Sequence, residues 1–206
     1  METSLRVLVA SANRGKVSEY RMLLDGLDCV LLSLDDVGIS GDVEETGSTY
    51  EQNARLKAVQ CAARSGLLTL ADDSGLEVDA LGGEPGVHSA RYAGMQVTDG
   101  QRVEYLLKKL DGVPAERRGA RFVCVVAIAT PEGEVTFCRG ECPGSIVMEP
   151  RGGKGFGYDP AFLLPELGLT MAELSPDVKN RLSHRGRAAA EARKVLRQFI
   201  DGGRAR

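Results

Sequence analysis

Two neighbouring carboxylates, Asp72 and Asp73, follow a short apolar run at residues 67–71. The run has the length of a buried strand, and polar groups at a strand's end lie at the edge of the sheet, where a cleft can form. Ser74 follows, and Gly75 is expected to turn the backbone. Because adjacent carboxylates repel each other, keeping both ionised at neutral pH requires a cation, most simply Mg²⁺. Asp-Asp-Ser-Gly alone is also typical of an ordinary turn.

A further carboxylate, Glu45, lies in an acidic loop just before a predicted helix. Ser48 and Glu51 fit a capping box at the start of this helix, and Gly66 fits its C-terminal cap. Glu45 therefore has two interpretations. It stabilises the positive end of the helix dipole, or it faces Asp73 and completes a metal site.

A polar loop at residues 11–16 separates a predicted strand, residues 5–10, from a predicted helix. The N-terminus of a helix offers free N–H groups and partial positive charge, and Lys16 adds a mobile cation, so a phosphate is favoured here. The loop lacks the spacing of a Walker A motif because Val17 follows the lysine. An ordinary helix cap is the alternative.

A glycine-rich stretch at residues 151–160 carries Phe156 and Asp159. Glycine permits close approach of a ligand, and an aromatic ring on such a loop offers a flat face to a nucleobase, with backbone N–H groups and Asp159 near its edge. The alternative is a hairpin whose aromatic side chains cover the core. The Gly-x-Gly-x-x-Gly dinucleotide pattern is absent.

The remaining periodicity predicts alternating strands and helices. Strands are expected at residues 29–34, 121–129 and 135–141, the last two as a hairpin. Helices are expected after Thr98, which forms a capping box with Gln101, after Ser175-Pro176, and from about residue 183 onward. The basic residues near the last two helices either are solvated or bind a triphosphate.

Composition limits the function classes. The 206 residues are 43% hydrophobic, which is enough for one domain, residues 1–206, in two lobes. A net charge of −3 gives no broad positive field for nucleic acid. The longest apolar run, residues 122–129, is far shorter than a membrane span, and no secretion signal is recognisable. Five cysteines without a Cys-x-x-Cys pair favour a reduced cytoplasm.

Six motifs, in order along nearly the whole chain, resemble those of the inosine triphosphate pyrophosphatase family. They are Ser-Ala-Asn-Arg-Gly-Lys at 11–16, Glu-Thr-Gly at 45–47, Ala-Asp-Asp-Ser-Gly-Leu at 71–76, Leu-Gly-Gly-x-Pro-Gly at 81–86, Gly-Phe-Gly-Tyr-Asp-Pro at 155–160 and Ser-His-Arg-Gly at 183–186. The resemblance implies a two-lobed α/β fold around a long mixed sheet with flanking helices, an active cleft between the lobes, a homodimer, and Mg²⁺-dependent release of pyrophosphate from dITP, ITP and XTP.

The resemblance also implies roles for individual residues. Glu45 and Asp73 correspond to metal ligands, Asp73 also to the proton acceptor, Asp72 to a supporting carboxylate and Lys16 to a catalytic cation. The implied substrate contacts are Ser11, Ala12, Asn13, Arg14, Gly15, Lys16, Ser74, Phe156, Gly157, Tyr158, Asp159, Lys179, His184 and Arg185. The chain departs from the family pattern at Ala12, His88 and Lys154, which affects fine specificity.

The expected reaction is attack of water on the α-phosphorus of a nucleoside triphosphate, because positioning and charge neutralisation dominate this chemistry. One alternative is a pyrophosphatase of modified pyrimidine or methylated nucleotides on a related fold. Another is a nucleotide-binding regulator without turnover, although a pure binder has no need of three clustered carboxylates facing a polyanion. The sequence leaves open the preferred base, the preferred sugar, the number of metal ions and the dimer contacts.

Overall fold

The structure, a computed structural model, describes residues 4–40 and 43–204. Within these residues the strands are β1 (Leu5–Val9), β2 (Cys29–Ser33), β3 (Leu68–Val78), β4 (Gly119–Ala129), β5 (Val135–Ile146), β6 (Phe162–Leu164) and β7 (Leu169–Thr170). The α-helices are α1 (Arg14–Leu23), α2 (Tyr50–Ser65), α3 (Asp99–Lys109), α4 (Pro176–Leu182) and α5 (His184–Arg204). The α/β class predicted from the sequence is confirmed.

The strands form one mixed sheet in the order β2-β1-β3-β4-β5-β6-β7. β1 is parallel to both of its neighbours, with Leu5 opposite Cys29 in β2 and Val7 opposite Leu68 in β3. Parallel neighbours need a long crossover connection, which the helices α1 and α2 provide. The β5–β6 and β6–β7 pairs are antiparallel.

Two compact units divide the described residues. The first consists of the described residues in the ranges 4–40, 43–73, 124–140 and 185–204, and the second consists of Ser74–Val123 and Glu141–His184. Each has its own apolar core. The core of the first unit includes Val7, Leu70, Val126 and Leu196, and that of the second includes Leu76, Leu106, Phe122 and Phe162.

The helix signals were largely right. Thr98 and Gln101 form the expected capping box of α3, and Ser175 caps α4 with proline at the first position. The start of α2 was misplaced by one residue, because Thr49 rather than Ser48 accepts the hydrogen bond from the Gln52 N–H. Gly66 ends α2 at a φ of 67°, where a left-handed conformation favours glycine.

The expected turn after the acidic pair was wrong. β3 continues through Asp72 and Asp73 to Val78, and Gly75 lies within the strand. A strand tolerates buried carboxylates at its centre when cations neutralise them, and here Lys16, Lys57 and Arg185 do so. The apolar run therefore marked only the first part of the strand.

The five cysteines are free thiols. Among the described residues, no helix is both long enough and apolar enough to span a membrane.

Candidate active site

The loop between β1 and α1 ends in an asparagine cap at the N-terminus of α1, and phosphate binding there stays a prediction. The Asn13 side chain caps α1 by accepting a hydrogen bond from the Lys16 N–H at 3.1 Å, and the Asn13 N–H donates to Ser11 Oγ at 3.2 Å. Ser11, Ala12 and Arg14 line a cavity of about 690 Å³ beside this loop, whereas Asn13, Gly15 and Lys16 do not line it. The loop thus offers polar atoms and a cation to a phosphate.

Asp72 lies in a buried ion cluster. Its Oδ2 atom is 3.1 Å from Lys16 Nζ and 3.2 Å from an Arg185 guanidinium nitrogen, and Arg185 also pairs with Glu19 at 2.8 Å. The thiol of Cys124 lies 3.6 Å from the same oxygen. Burial alone raises the pKa of Asp72, but Lys16, Arg185 and Lys57 outweigh it and hold the pKa well below its ordinary value. Asp72 is therefore a permanent anion.

Asp73 faces a different group of side chains, on and just before α2. Asn53 Nδ2 donates to Asp73 Oδ2 at 3.1 Å, and Lys57 Nζ lies 3.7 Å from Asp73 Oδ1. Lys57 Nζ also donates to Glu45 Oε1 at 2.7 Å, so one ammonium faces both carboxylates. The predicted proximity of Glu45 and Asp73 is observed as convergence on this cation.

The electrostatics around Asp73 differ from those around Asp72. Burial raises the pKa of Asp73; the positive charge of Lys57 opposes this, the negative charge of Glu45 adds to it, and the pKa stays above its ordinary value. Burial alone lowers the pKa of Lys57, but the negative charges of Asp73, Asp72 and Glu45 outweigh burial and hold the pKa above its ordinary value. Lys57 therefore remains charged, while Asp73 accepts a proton more readily than an ordinary carboxylate.

The residues present fit a magnesium ion. Mg²⁺ prefers hard oxygen ligands, is often held by one or two carboxylates, and keeps waters or substrate phosphates as further ligands. Glu45 and Asp73 supply two such carboxylates, and both contact the ammonium of Lys57. When all three side chains are ionised, the group carries one net negative charge. The buried Oδ1 of Asp72 makes no hydrogen bond within the described residues. No group of three or more ligating side chains is found among those residues.

The glycine-rich loop is held by two carboxylates. Asp159 Oδ2 accepts the Phe156 N–H at 2.9 Å, and Asp99 Oδ2 accepts the Gly157 N–H at 2.6 Å. Gly155 has a φ of 77°, and a Cβ there would lie 2.0 Å from Asp159 Oδ2, so glycine is required. Carboxylates thus accept the N–H groups of Phe156 and Gly157, and contact between this loop and a nucleobase stays a prediction.

Phe156 is half-buried and Lys179 is buried beside this loop. Lys179 Nζ donates to Asp159 Oδ2 and lies 4.8 Å from the centroid of the Phe156 ring. The contact has the geometry of a cation–π pair. Asp159, Phe156 and Lys179 are thus brought together, as the base-pocket prediction requires.

Three other predicted substrate contacts are packed within the protein. Tyr158 is buried and its hydroxyl donates to the Ser89 carbonyl at 2.9 Å. His184 stacks on Phe122 with ring centroids 4.6 Å apart. Arg185 is 2% exposed in the ion cluster around Asp72, and its predicted position near the base edge stays a prediction. Its position fits a role in holding the charge of Asp72.

Ser74 follows Asp73 within β3 and is half-buried. As a predicted substrate contact it stays a prediction.

Sequence reasoning missed three residues that touch the predicted ones, Asn53, Lys57 and Asp99. Asn53 and Lys57 lie four residues apart on the buried face of α2, beside Ala54 and Ala58. A polar side chain at a buried helical position was the available signal, since such groups need partners. Asp99 gave no signal, because a carboxylate in the first turn of a helix has an ordinary explanation.

Comparison with known proteins supplies the family. A model of the Ham1 family matches residues 7–195. The chain belongs to the Ham1 family. The match includes every predicted site residue and confirms the resemblance drawn from the motifs.

Individual relatives within the Ham1 family cover nearly the whole chain. The dITP/XTP pyrophosphatase of Exiguobacterium sibiricum is 47% identical over 196 residues, which cover 95% of this chain and 99% of the relative. The dITP/XTP pyrophosphatase of Geobacter sulfurreducens is 50% identical over 185 residues, covering 90% and 93%. A solved HAM1 protein from Coxiella burnetii has a TM-score of 0.86 at 41% identity, covering 94% of this chain and 99% of that one.

Proposed function

We propose that this protein hydrolyses the α–β phosphoanhydride bond of deaminated purine nucleoside triphosphates, dITP, ITP and XTP, to the monophosphate and pyrophosphate. The observation that carries the proposal is the environment of Asp73, a buried carboxylate with a raised pKa beside Glu45 and the cation of Lys57. The dITP/XTP pyrophosphatase name of the relatives supports the same substrate class.

In the proposed mechanism Asp73 orients a water for in-line attack on the α-phosphorus and accepts its proton. Lys57 keeps Glu45 and Asp73 in place and lowers the repulsion that a polyanionic substrate meets. The loop at residues 11–16 binds the phosphates through its polar groups and Lys16. Mg²⁺, held by Glu45 and Asp73, supplies neutralisation of phosphate charge when bound.

Base recognition is proposed for the glycine-rich loop. The Phe156 ring stacks on the base, and Lys179, held by Asp159, donates a hydrogen bond to a 6-keto oxygen. Hypoxanthine and xanthine carry a keto acceptor at this position, whereas adenine carries an amino donor. A donor facing a donor leaves a buried polar group unpaired, which disfavours ATP. Guanine shares the keto group, so its 2-amino group must be rejected by crowding or by another donor.

The test is a panel of triphosphates in which pyrophosphate and orthophosphate are measured separately. We expect pyrophosphate as product and kcat/KM for ITP and XTP above that for ATP and GTP by on the order of 10²-fold. Phe156→Ala should weaken the binding of all substrates by about 1 to 3 kcal/mol, since stacking is indifferent to base identity. The variant should not become active on ATP. Comparable kcat/KM for ATP and ITP would contradict the proposed preference for deaminated purines. Orthophosphate as the product would contradict hydrolysis at the α–β phosphoanhydride bond.

We also propose a homodimer that works in the cytoplasm, as the family resemblance implies. The five free thiols agree with a reducing compartment. Sedimentation velocity across a range of protein concentrations measures the oligomeric state.

A further inference from the structure

The fully buried side chain of Asn53 joins the loop before α2 to Asp73. Asn53 is 0% exposed, and its Oδ1 accepts the Gly47 N–H at 2.8 Å while its Nδ2 donates to Asp73 Oδ2 at 3.1 Å. Both ends of the amide are therefore paired. A buried amide in this arrangement holds two groups in fixed relative positions.

The orientation of this amide follows from its partners. A backbone N–H only donates, so the amide oxygen must face Gly47, and the NH₂ group is then directed at Asp73. Gly47 strengthens the constraint, because a Cβ at that position would lie 2.7 Å from Asn53 Oδ1 and 2.6 Å from the Gln52 Cβ. Only glycine lets the backbone approach this closely, so the amide has little freedom to rotate.

The two oxygens of Asp73 consequently have different surroundings. Oδ2 accepts the Asn53 amide, whereas Oδ1 faces the ammonium of Lys57, which in turn contacts Glu45. A carboxylate with one oxygen fixed cannot turn about its Cβ–Cγ bond without breaking that hydrogen bond. The oxygen on the Lys57 side is thus the one presented for chemistry.

We propose that Asn53 is a positioning residue that fixes the carboxylate plane of Asp73, with Oδ1 presented on the side of Lys57 and Glu45. The inference rests on the proposed function in that it takes Asp73 as the metal ligand and base. It adds a residue that touches neither substrate nor metal and acts through Asp73. Partners of this kind commonly contribute 10- to 100-fold to metal affinity or activity.

The main test is Asn53→Asp, which keeps the size of the side chain and the acceptor for Gly47 but replaces the donor to Asp73 with a second carboxylate oxygen. We expect kcat for ITP to fall by about 10- to 100-fold with KM changed less than about threefold, and Mg²⁺ affinity measured by calorimetry on the nucleotide-free protein to weaken by a similar factor. Wild-type kcat and Mg²⁺ affinity in the folded variant would overturn the proposal.

Gln52→Glu is the matched control. It makes the same amide-to-carboxylate change one residue earlier in α2, at an exposed side chain whose Oε1 accepts the Ser48 N–H at 2.8 Å and which makes no hydrogen bond to Asp73 among the described residues. The control should keep wild-type kcat and Mg²⁺ affinity. An equal loss in the control would overturn the proposal by showing that added charge on the helix suffices.

A swapped pair separates positioning from simple stability. Asn53→Asp combined with Asp73→Asn restores a donor and an acceptor in reversed order, so we expect the Tm lost in Asn53→Asp to be largely recovered while turnover stays as low as in Asp73→Asn. Failure to recover the Tm contradicts the hydrogen-bonded pairing. If Asn53→Asp alone does not fold, Asn53→Ala takes its place, with the same loss expected and wild-type kinetics counting against the proposal.

The two proposals fail in distinguishable ways. If the unmodified protein releases no pyrophosphate from any triphosphate, the proposed function fails, and the Mg²⁺ titration and the Tm of the swapped pair still test Asn53. If the unmodified protein is active and Asn53→Asp equals it, only the positioning role fails.

Discussion

Asp72 and Asp73 are adjacent in β3 and nearly inaccessible, at 2% and 4% exposure, yet their surroundings shift their pKa values in opposite directions. Successive side chains of a strand point to opposite faces of the sheet, so the two carboxylates meet different helices. Asp72 meets Lys16 of α1 and Arg185 of α5, whereas Asp73 meets Asn53 and Lys57 of α2.

The difference fits a structural role for Asp72 and the reactive role that we propose for Asp73. Two cations contact a single oxygen of Asp72, so its charge is compensated and its proton affinity is low. Asp73 shares one ammonium with Glu45, so its negative charge is only partly compensated and its proton affinity is raised. Residue type is therefore a poor guide to role at this site, and the count of neighbouring charges is a better one.

The largest expected effect is on turnover, from Asp73→Asn. Removal of a metal ligand and proton acceptor should lower kcat for ITP by at least ~10³-fold while the far-ultraviolet circular dichroism spectrum stays unchanged. Steady-state kinetics with and without Mg²⁺ measure this, and activity in the unmodified protein should be lost when Mg²⁺ is chelated. Near wild-type turnover in a folded variant would assign the chemistry to another residue.

Asp72→Asn should act on stability first. The change leaves Arg185 and Lys16 without their shared buried anion, and breaking a buried ion pair from one side costs about 3 kcal/mol or more in the free energy of unfolding. Urea denaturation at neutral pH measures the loss. A stability loss below about 1 kcal/mol would show that the ion cluster is not structural.

Lys16→Ala tests whether this cation serves the fold or the substrate. Lys16 contacts Asp72, but it also lies in the first turn of α1, where a phosphate is proposed to bind. We expect a loss of roughly 1.5 to 3 kcal/mol in transition-state stabilisation from kcat/KM. If only the free energy of unfolding changes, Lys16 belongs with Arg185 as a structural partner of Asp72.

The smallest expected effect is the change in the free energy of unfolding that Asp73→Asn produces. Removing an incompletely compensated buried charge should raise the free energy of unfolding by on the order of 1 kcal/mol at pH 7. Because the folded pKa of Asp73 is raised, its stabilising contribution is present below the unfolded value of about 4 and is lost as pH rises through the folded value. The gain in the free energy of unfolding from Asp73→Asn should therefore vanish in acid, where Asp73 itself is protonated.

Asp72 supplies the opposite pH dependence for comparison. Its folded pKa is lowered, so its stabilising contribution is present above about pH 4 and is lost as pH falls toward the folded value. Urea denaturation of both Asn variants between pH 3 and 8, with Mg²⁺ chelated, measures the two trends together. Parallel trends would contradict the distinction between the two carboxylates.

The sequence by itself determined the α/β class, most of the helix caps and the family. The caps at Thr98 and Ser175 form as predicted, because a cap depends on hydrogen bonds between residues close in the chain. The six motifs indicate the family because their order along the chain requires no knowledge of distant contacts. The tertiary structure alone decided which charges meet. Arg185 reaches Asp72 across 113 positions of the chain, and Asn53 reaches Asp73 across 20. Sequence spacing does not encode such distances, so only the folded chain assigns each aspartate its partners and its proton affinity.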